Sequence, residues 1–178
     1  MQKAFILTLF FLANLSLSDE LRIEIDISNQ RLYVIQNSAQ THSFAISSSK
    51  YGEGSTANSF KTPLGKHSVR TMIGENVPKN TIFISRINTK RQADIIESFN
   101  DSSDDYVTSR IIWLTGEEPG FNSGEGIDSY SRYIYIHGTH EEGLIGSKAS
   151  HGCIRMFNDD VIKLYGMIKK GTKVNIFI

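Results

Sequence analysis

The segment Leu21-Arg-Ile-Glu-Ile-Asp-Ile27 alternates apolar and polar side chains, and that period of two recurs along most of the chain. Such a segment buries one face and wets the other, so it must pair with other strands. Ser28-Asn29-Gln30 supplies turn-forming residues, and Arg31-Leu-Tyr-Val-Ile-Gln36 reads as the return strand of a hairpin. Thr41 to Ser47 is a third strand candidate. The small, polar stretch 48–60 reads as a loop, and Thr62-Pro63-Leu64-Gly65 as a turn. Strands are expected near 66–73 and 81–86. Arg110-Ile-Ile-Trp-Leu114 and Arg132-Tyr-Ile-Tyr-Ile-His137 are β-branched and aromatic enough to be strands, and Lys173 to Ile178 closes the chain as another.

Helical spacing shows clearly once. Val161, Leu164, Tyr165 and Ile168 share a face, Asn158 is placed to cap it, and Asp159 and Asp160 suit its positive end. Lys169 and Lys170 suit the other end, and Gly171 stops it. A second, short helix is expected over 93–99, followed by a loop over 100–105. The polar connection 116–131 is expected to line a cleft, and Trp113 to sit in the core. The fold class that follows is mainly β with one clear helix, as a mixed sheet or β-sandwich.

Residues 1–18 read as a secretory signal peptide. Lys3 precedes an apolar run from Ala4 to Ala13, and Ser16-Leu17-Ser18 offers small residues for cleavage. A run of roughly 10 apolar residues is shorter than the about 20 a membrane span needs, so no stable span is expected after cleavage. Residues 19–178 are enough for one domain with a core of its own. Lysine plus arginine equals aspartate plus glutamate at 19 each, and no basic block points to nucleic acid. One cysteine in an exported chain has no partner for a disulfide, and an unpaired thiol there favours a chemical role.

That cysteine lies in Ser150-His151-Gly152-Cys153-Ile154-Arg155, sixteen positions after His137 in His137-Gly138-Thr139. A thiol becomes a nucleophile when a base within hydrogen-bond reach takes its proton, so Cys153 is assigned as nucleophile and His137 as general base. The Gly138 carbonyl can orient the imidazole. Gly152 lets a substrate carbonyl approach and leaves amides to hold an oxyanion. In extended backbone His151 shares a face with Cys153, where it either stabilises the thiolate or lends its backbone N–H. Arg155 is assigned to a substrate carboxylate, and Ser150 and Thr139 to backbone or substrate. His42, His67 and His140 carry no pattern and are expected at the surface. His137, His140, His151 and Cys153 are four conceivable zinc ligands, but their spacing is not that of a structural site, and neither metal nor cofactor is expected.

These residues resemble the L,D-transpeptidase family of the YkuD type, whose motif is His-x-x, a spacer, then Ser/Thr-His-Gly-Cys. Gln30-Arg-Leu-Tyr-Val34 is similar to the family's early strand, and Thr62-Pro63-Leu64-Gly65 to its Thr-Pro-x-Gly turn. Arg132 to His137 and Cys153-Ile-Arg-Met156 are similar to the Gram-negative branch. Lys66-His67 stands where an aromatic is common, and no wall-binding module is visible. The resemblance implies a periplasmic enzyme whose cysteine attacks the tetrapeptide stem of peptidoglycan at the L-centre of its third residue, meso-diaminopimelate, whose side chain carries a second carboxylate, releasing the terminal D-alanine. The thioester then passes to a stem amine as a 3→3 cross-link, to an outer-membrane protein lysine in some relatives, or to water in L,D-carboxypeptidases. It also implies acylation by carbapenems. A motif-bearing shell that only binds the wall is the non-enzymatic alternative.

Overall fold

The computed structural model describes residues 21–178, so the expected signal segment lies outside the described residues. β1 (Arg22–Asp26), β2 (Arg31–Gln36) and β3 (Ala39–Ser47) form an antiparallel meander. Its first turn is closed by the Asp26 carboxylate, which accepts from the Asn29 backbone N–H at 2.9 Å and from its Nδ2 at 2.7 Å. β4 (Gly65–Ile73), β5 (Thr81–Ile84), β6 (Ile87–Gln92) and β7 (Val107–Gly116) follow. β8 (Tyr135–Thr139), β9 (Ile154–Met156), helix α1 (Asn158–Met167) and β10 (Lys173–Phe177) complete the chain.

The strands make one mixed sheet in the order β4-β10-β1-β2-β3-β9-β8-β7-β5-β6. Because β4 also pairs with β7, the sheet closes on itself into a ring of eight strands, and the β5–β6 hairpin hangs from β7. Closure removes two edges that would otherwise need covering. The β1–β10 and β8–β9 pairs are parallel, and the others are antiparallel.

β7 and β8, with Ile134 just before β8, divide their side chains between two apolar clusters. Ile112, Leu114, Ile134 and Ile136 enter the main core with Ile23, Ile25 and α1's Val161 and Leu164. Ile111, Trp113 and Tyr135 point the other way and join Phe83 in a second cluster, against which Cys153 packs. The period-two alternation of β8 therefore turns Tyr135 and His137 towards the cysteine and Ile136 towards the core.

Several expectations need correction. Residues 93–99 form no helix. Their backbone bonds outward instead: Ala93 N–H to Asn80 O at 2.8 Å, Ile96 N–H to His140 O at 2.8 Å. β6 escaped the sequence reading because its residues are mostly exposed on both faces, which erases alternation. β8 starts at Tyr135 rather than Arg132, since Arg132 and Tyr133 sit in a turn where Tyr133 has φ +58°. Asn158 is not a cap: it is the first helical residue, and its backbone N–H is taken by Glu142 Oε1 at 2.7 Å. Its buried side chain instead ties Thr108, Ser109 and Thr139 together. His67 and His140 are buried. His67 Nε2 is bonded to Ser129 Oγ at 2.9 Å, and burial pushes its pKa down. The connection 116–131 is fastened to β4 by buried Asn122, which donates to Leu64 O and Lys66 O.

Candidate active site

Parallel pairing of β8 and β9 brings the motif's two halves together. A parallel pair needs a crossover connection, and here it carries Ser150 to Cys153 back to the start of β8. Ile136 faces Ile154 across the pair, so Cys153, one residue earlier, arrives beside Tyr135. The Cys153 Sγ accepts from the Tyr135 backbone N–H at 3.4 Å, and its thiol donates to Tyr133 O at 3.3 Å.

His137, two residues along β8 on Tyr135's face, is buried. Its Nδ1 donates to the Gly138 carbonyl at 2.7 Å, which leaves the lone pair on Nε2. Burial is the main influence on both groups. It lowers the His137 pKa to about 4, against the opposing pull of Asp105 and the Gly138 carbonyl. It raises the Cys153 thiol to about 12, with the Tyr135 N–H and the cations Arg155 and Arg132 acting the other way. At neutral pH the pair is a neutral thiol and a neutral imidazole.

Gly152 has φ +118°, a conformation that L side chains rarely adopt, and the Phe60 and Lys61 carbonyls lie 3.4 Å from where a Cβ would stand. This bend breaks the extended backbone that would have set His151 and Cys153 on one face. His151 instead reaches outward: its Nδ1 pairs with Asp105 Oδ2 at 2.8 Å, and its ring packs near Tyr51 and Phe60. The Gly152 N–H is taken by Ser150 Oγ, whereas the Cys153 N–H meets no acceptor among the described residues. The Thr62 hydroxyl donates to Gly152 O at 3.0 Å, so the Thr-Pro-Leu-Gly turn braces the cysteine loop.

The three residues assigned to substrate are placed elsewhere. Arg155 is 1% exposed in its side chain and pairs with Glu141 at 2.8 Å and Asp105 at 2.7 Å. Ser150 is buried, donating to Cys153 O at 2.6 Å. Thr139 is buried, its hydroxyl accepting the Glu141 N–H. All three build the loop rather than face the cleft. Gly138 packs so tightly that a Cβ would meet Asn158 Oδ1 at 2.5 Å and Thr108 O at 2.9 Å. The residues weighed as zinc ligands have separate partners, His140 with Ser102 at 3.1 Å and His151 with Asp105.

Sequence reasoning missed Asp105 and Glu141. Although burial raises the Asp105 pKa, Arg155, His137 and the His151 hydrogen bond together hold its carboxyl below the usual value. Its only signal was position in an acidic loop, which reads equally well as solvated surface.

Strand order, the bend at Gly152 and the His137–Gly138 contact together define a class. The chain belongs to the YkuD family, the L,D-transpeptidase catalytic domain, which matches residues 20–176. Its relatives include the YkuD protein of Bacillus subtilis (strain 168), 46% identical over 59 residues, 33% of this chain and 36% of that protein. The YcfS protein of Escherichia coli (strain K12) is 42% identical over 48 residues, 27% of this chain and 15% of that protein. Among solved structures, L,D-transpeptidase 3 of Mycobacterium tuberculosis in complex with a faropenem-derived adduct aligns with a TM-score of 0.54 at 16% identity. That alignment covers 89% of this chain and 60% of the other, and at such identity it shows a shared fold. Each match thus spans less than two thirds of the relative's own length.

Proposed function

We propose that this chain is a cysteine acyltransferase acting on the tetrapeptide stems of peptidoglycan, exported to the periplasm by residues 1–18. The observation that carries the reading is the His137 Nδ1–H···O=C bond to Gly138, which leaves Nε2 as the free base on the face where Cys153 packs.

In this reading the thiol proton leaves Tyr133 O for Nε2 as Sγ attacks the carbonyl of the third stem residue. The Sγ–C bond forms and the oxyanion takes the Cys153 N–H. On collapse the C–N bond breaks, and the imidazolium returns its proton to the departing D-alanine amine. A second amine, from another stem or an outer-membrane protein lysine, then loses its proton to His137 and displaces the thiolate from the thioester, and the imidazolium returns that proton to Cys153 Sγ. Water in that role gives an L,D-carboxypeptidase. The faropenem-derived adduct on the Mycobacterium tuberculosis relative supports extending β-lactam acylation to Cys153.

The test is mass spectrometry of products from purified protein with disaccharide-tetrapeptide, alongside Cys153→Ala. Cross-linked dimers lost in the variant support the transpeptidase. Tripeptide without dimer makes the enzyme a carboxypeptidase. No turnover, and no carbapenem adduct on Cys153, overturns the acyltransferase reading and favours a shell that binds the wall.

A further inference from the structure

Two hollows meet at Tyr133, whose carbonyl holds the Cys153 thiol. The smaller, about 210 Å³, is lined by Phe60, Arg132, Ile134 and His151 among others. Its basic side chains are committed. Arg132 donates to Gly54 O at 3.2 Å and to Lys61 O at 2.7 Å, and His151 pairs with Asp105. The larger, about 370 Å³, is walled by Phe83, Val107, Ile111 and Tyr135, with Arg86 at the tip of the β5–β6 hairpin.

The Arg86 guanidinium lies 4.7 Å from the Tyr133 ring centroid and 5.1 Å from that of Trp113. Its Nη1 donates to the Tyr135 hydroxyl at 3.2 Å. Stacking on aromatic rings holds the plane while leaving the edge donors available, and no acidic side chain among the described residues pairs with them. The turn that presents this residue is strained. Ser85 at φ +47° and Arg86 at φ +70° occupy the two central positions of a two-residue hairpin, where asparagine and glycine are favoured. An arginine there costs the turn stability, so its side chain earns explanation by what it faces.

We propose that Arg86 binds a carboxylate of the acyl-donor stem in the hollow between Tyr133 and Tyr135, and so determines substrate specificity. This rests on the stem-peptide reading above. A planar guanidinium with free edge donors matches a carboxylate in bidentate geometry. With Arg155 buried in its own ion pairs, the carboxylate role assigned to it from sequence falls to Arg86. The stem offers two sources, the terminal carboxylate of the leaving residue and the side-chain carboxylate of the third residue.

The experiment measures KM and kcat for three donors: free acid, terminally amidated, and amidated on the third residue. Wild type is compared with Arg86→Asn, which suits a positive φ and keeps the hairpin, and with Arg86→Lys. Arg86→Asn is expected to raise KM for the free acid about tenfold, the value of a lost charge-assisted hydrogen bond, with kcat little changed. Arg86→Lys recovers part of that loss. Amidating the carboxylate that Arg86 holds reproduces the loss in wild type and adds nothing in Arg86→Asn, which identifies the source. Equal KM values for wild type and Arg86→Asn on the free acid overturn the assignment and leave the stem-peptide reading standing. So do losses that add fully for both amidations. No conversion of any of the three by wild type overturns both.

Discussion

At the scale of single residues, burial governs the chemistry. His137 is held neutral down to about pH 4, so the base form is available throughout the physiological range. The acid limb of Cys153 acylation by a carbapenem is therefore expected below pH 5, without an inflection near the ordinary value of 6.5; a limb centred on 6.5 would contradict the burial argument. The same shift has a stability consequence. The folded-state pKa lies below the unfolded one, so the contribution is complete above 6.5 and is lost as pH falls towards 4, by roughly 3 kcal/mol in all. Thermal unfolding followed from pH 7.5 to 4 should show that slope in wild type and a shallower one in His137→Ala. The same variant should lose at least about 100-fold in acylation rate, as removal of a general base does. Arg155→Ala is expected to act on folding rather than on KM. It strands Glu141 in the interior, a loss of about 3–5 kcal/mol, and denaturant unfolding would register it. A variant of wild-type stability with raised KM would restore the substrate role.

At the scale of elements, the decisive unit is the crossover from β8 to β9. Gly152 at φ +118° bends it, Ser150 and Thr62 bond across the bend, and β9 then pairs in register. Gly152→Ala places an L side chain in that strained region, at a cost of order 1–3 kcal/mol. The expected outcome is a lower acylation rate at 25 °C in a protein that is still folded there, with only a modest drop in Tm, because the bend relaxes by moving Cys153. An unchanged acylation rate would mean the bend does not set the thiol's position. The strands themselves were legible, since β1, β2, β7 and β10 are alternating or β-branched runs. β6 and the segment 93–99 were not, because neither is shaped by burial of one regular face. Asn158 shows the same limit. Its residue type signals a cap, but three partners distant in sequence take its side chain.

For the whole molecule, closure of the sheet places the site. β4 pairs with β10 and β7, and the ring leaves one face of β7 and β8 to the main core and the other to Trp113, Tyr135 and Cys153. The sequence by itself determined the mostly β class, the one clear helix, and membership of the family. Local alternation and short motifs encode those features directly. Only the tertiary structure decided that Arg155, Ser150 and Thr139 are buried supports, that Asp105 and Glu141 complete the network, and that Arg86 faces the hollow at Tyr133. Those roles depend on which distant strands and loops meet, and one-dimensional spacing does not record the burial and partners that such meetings create.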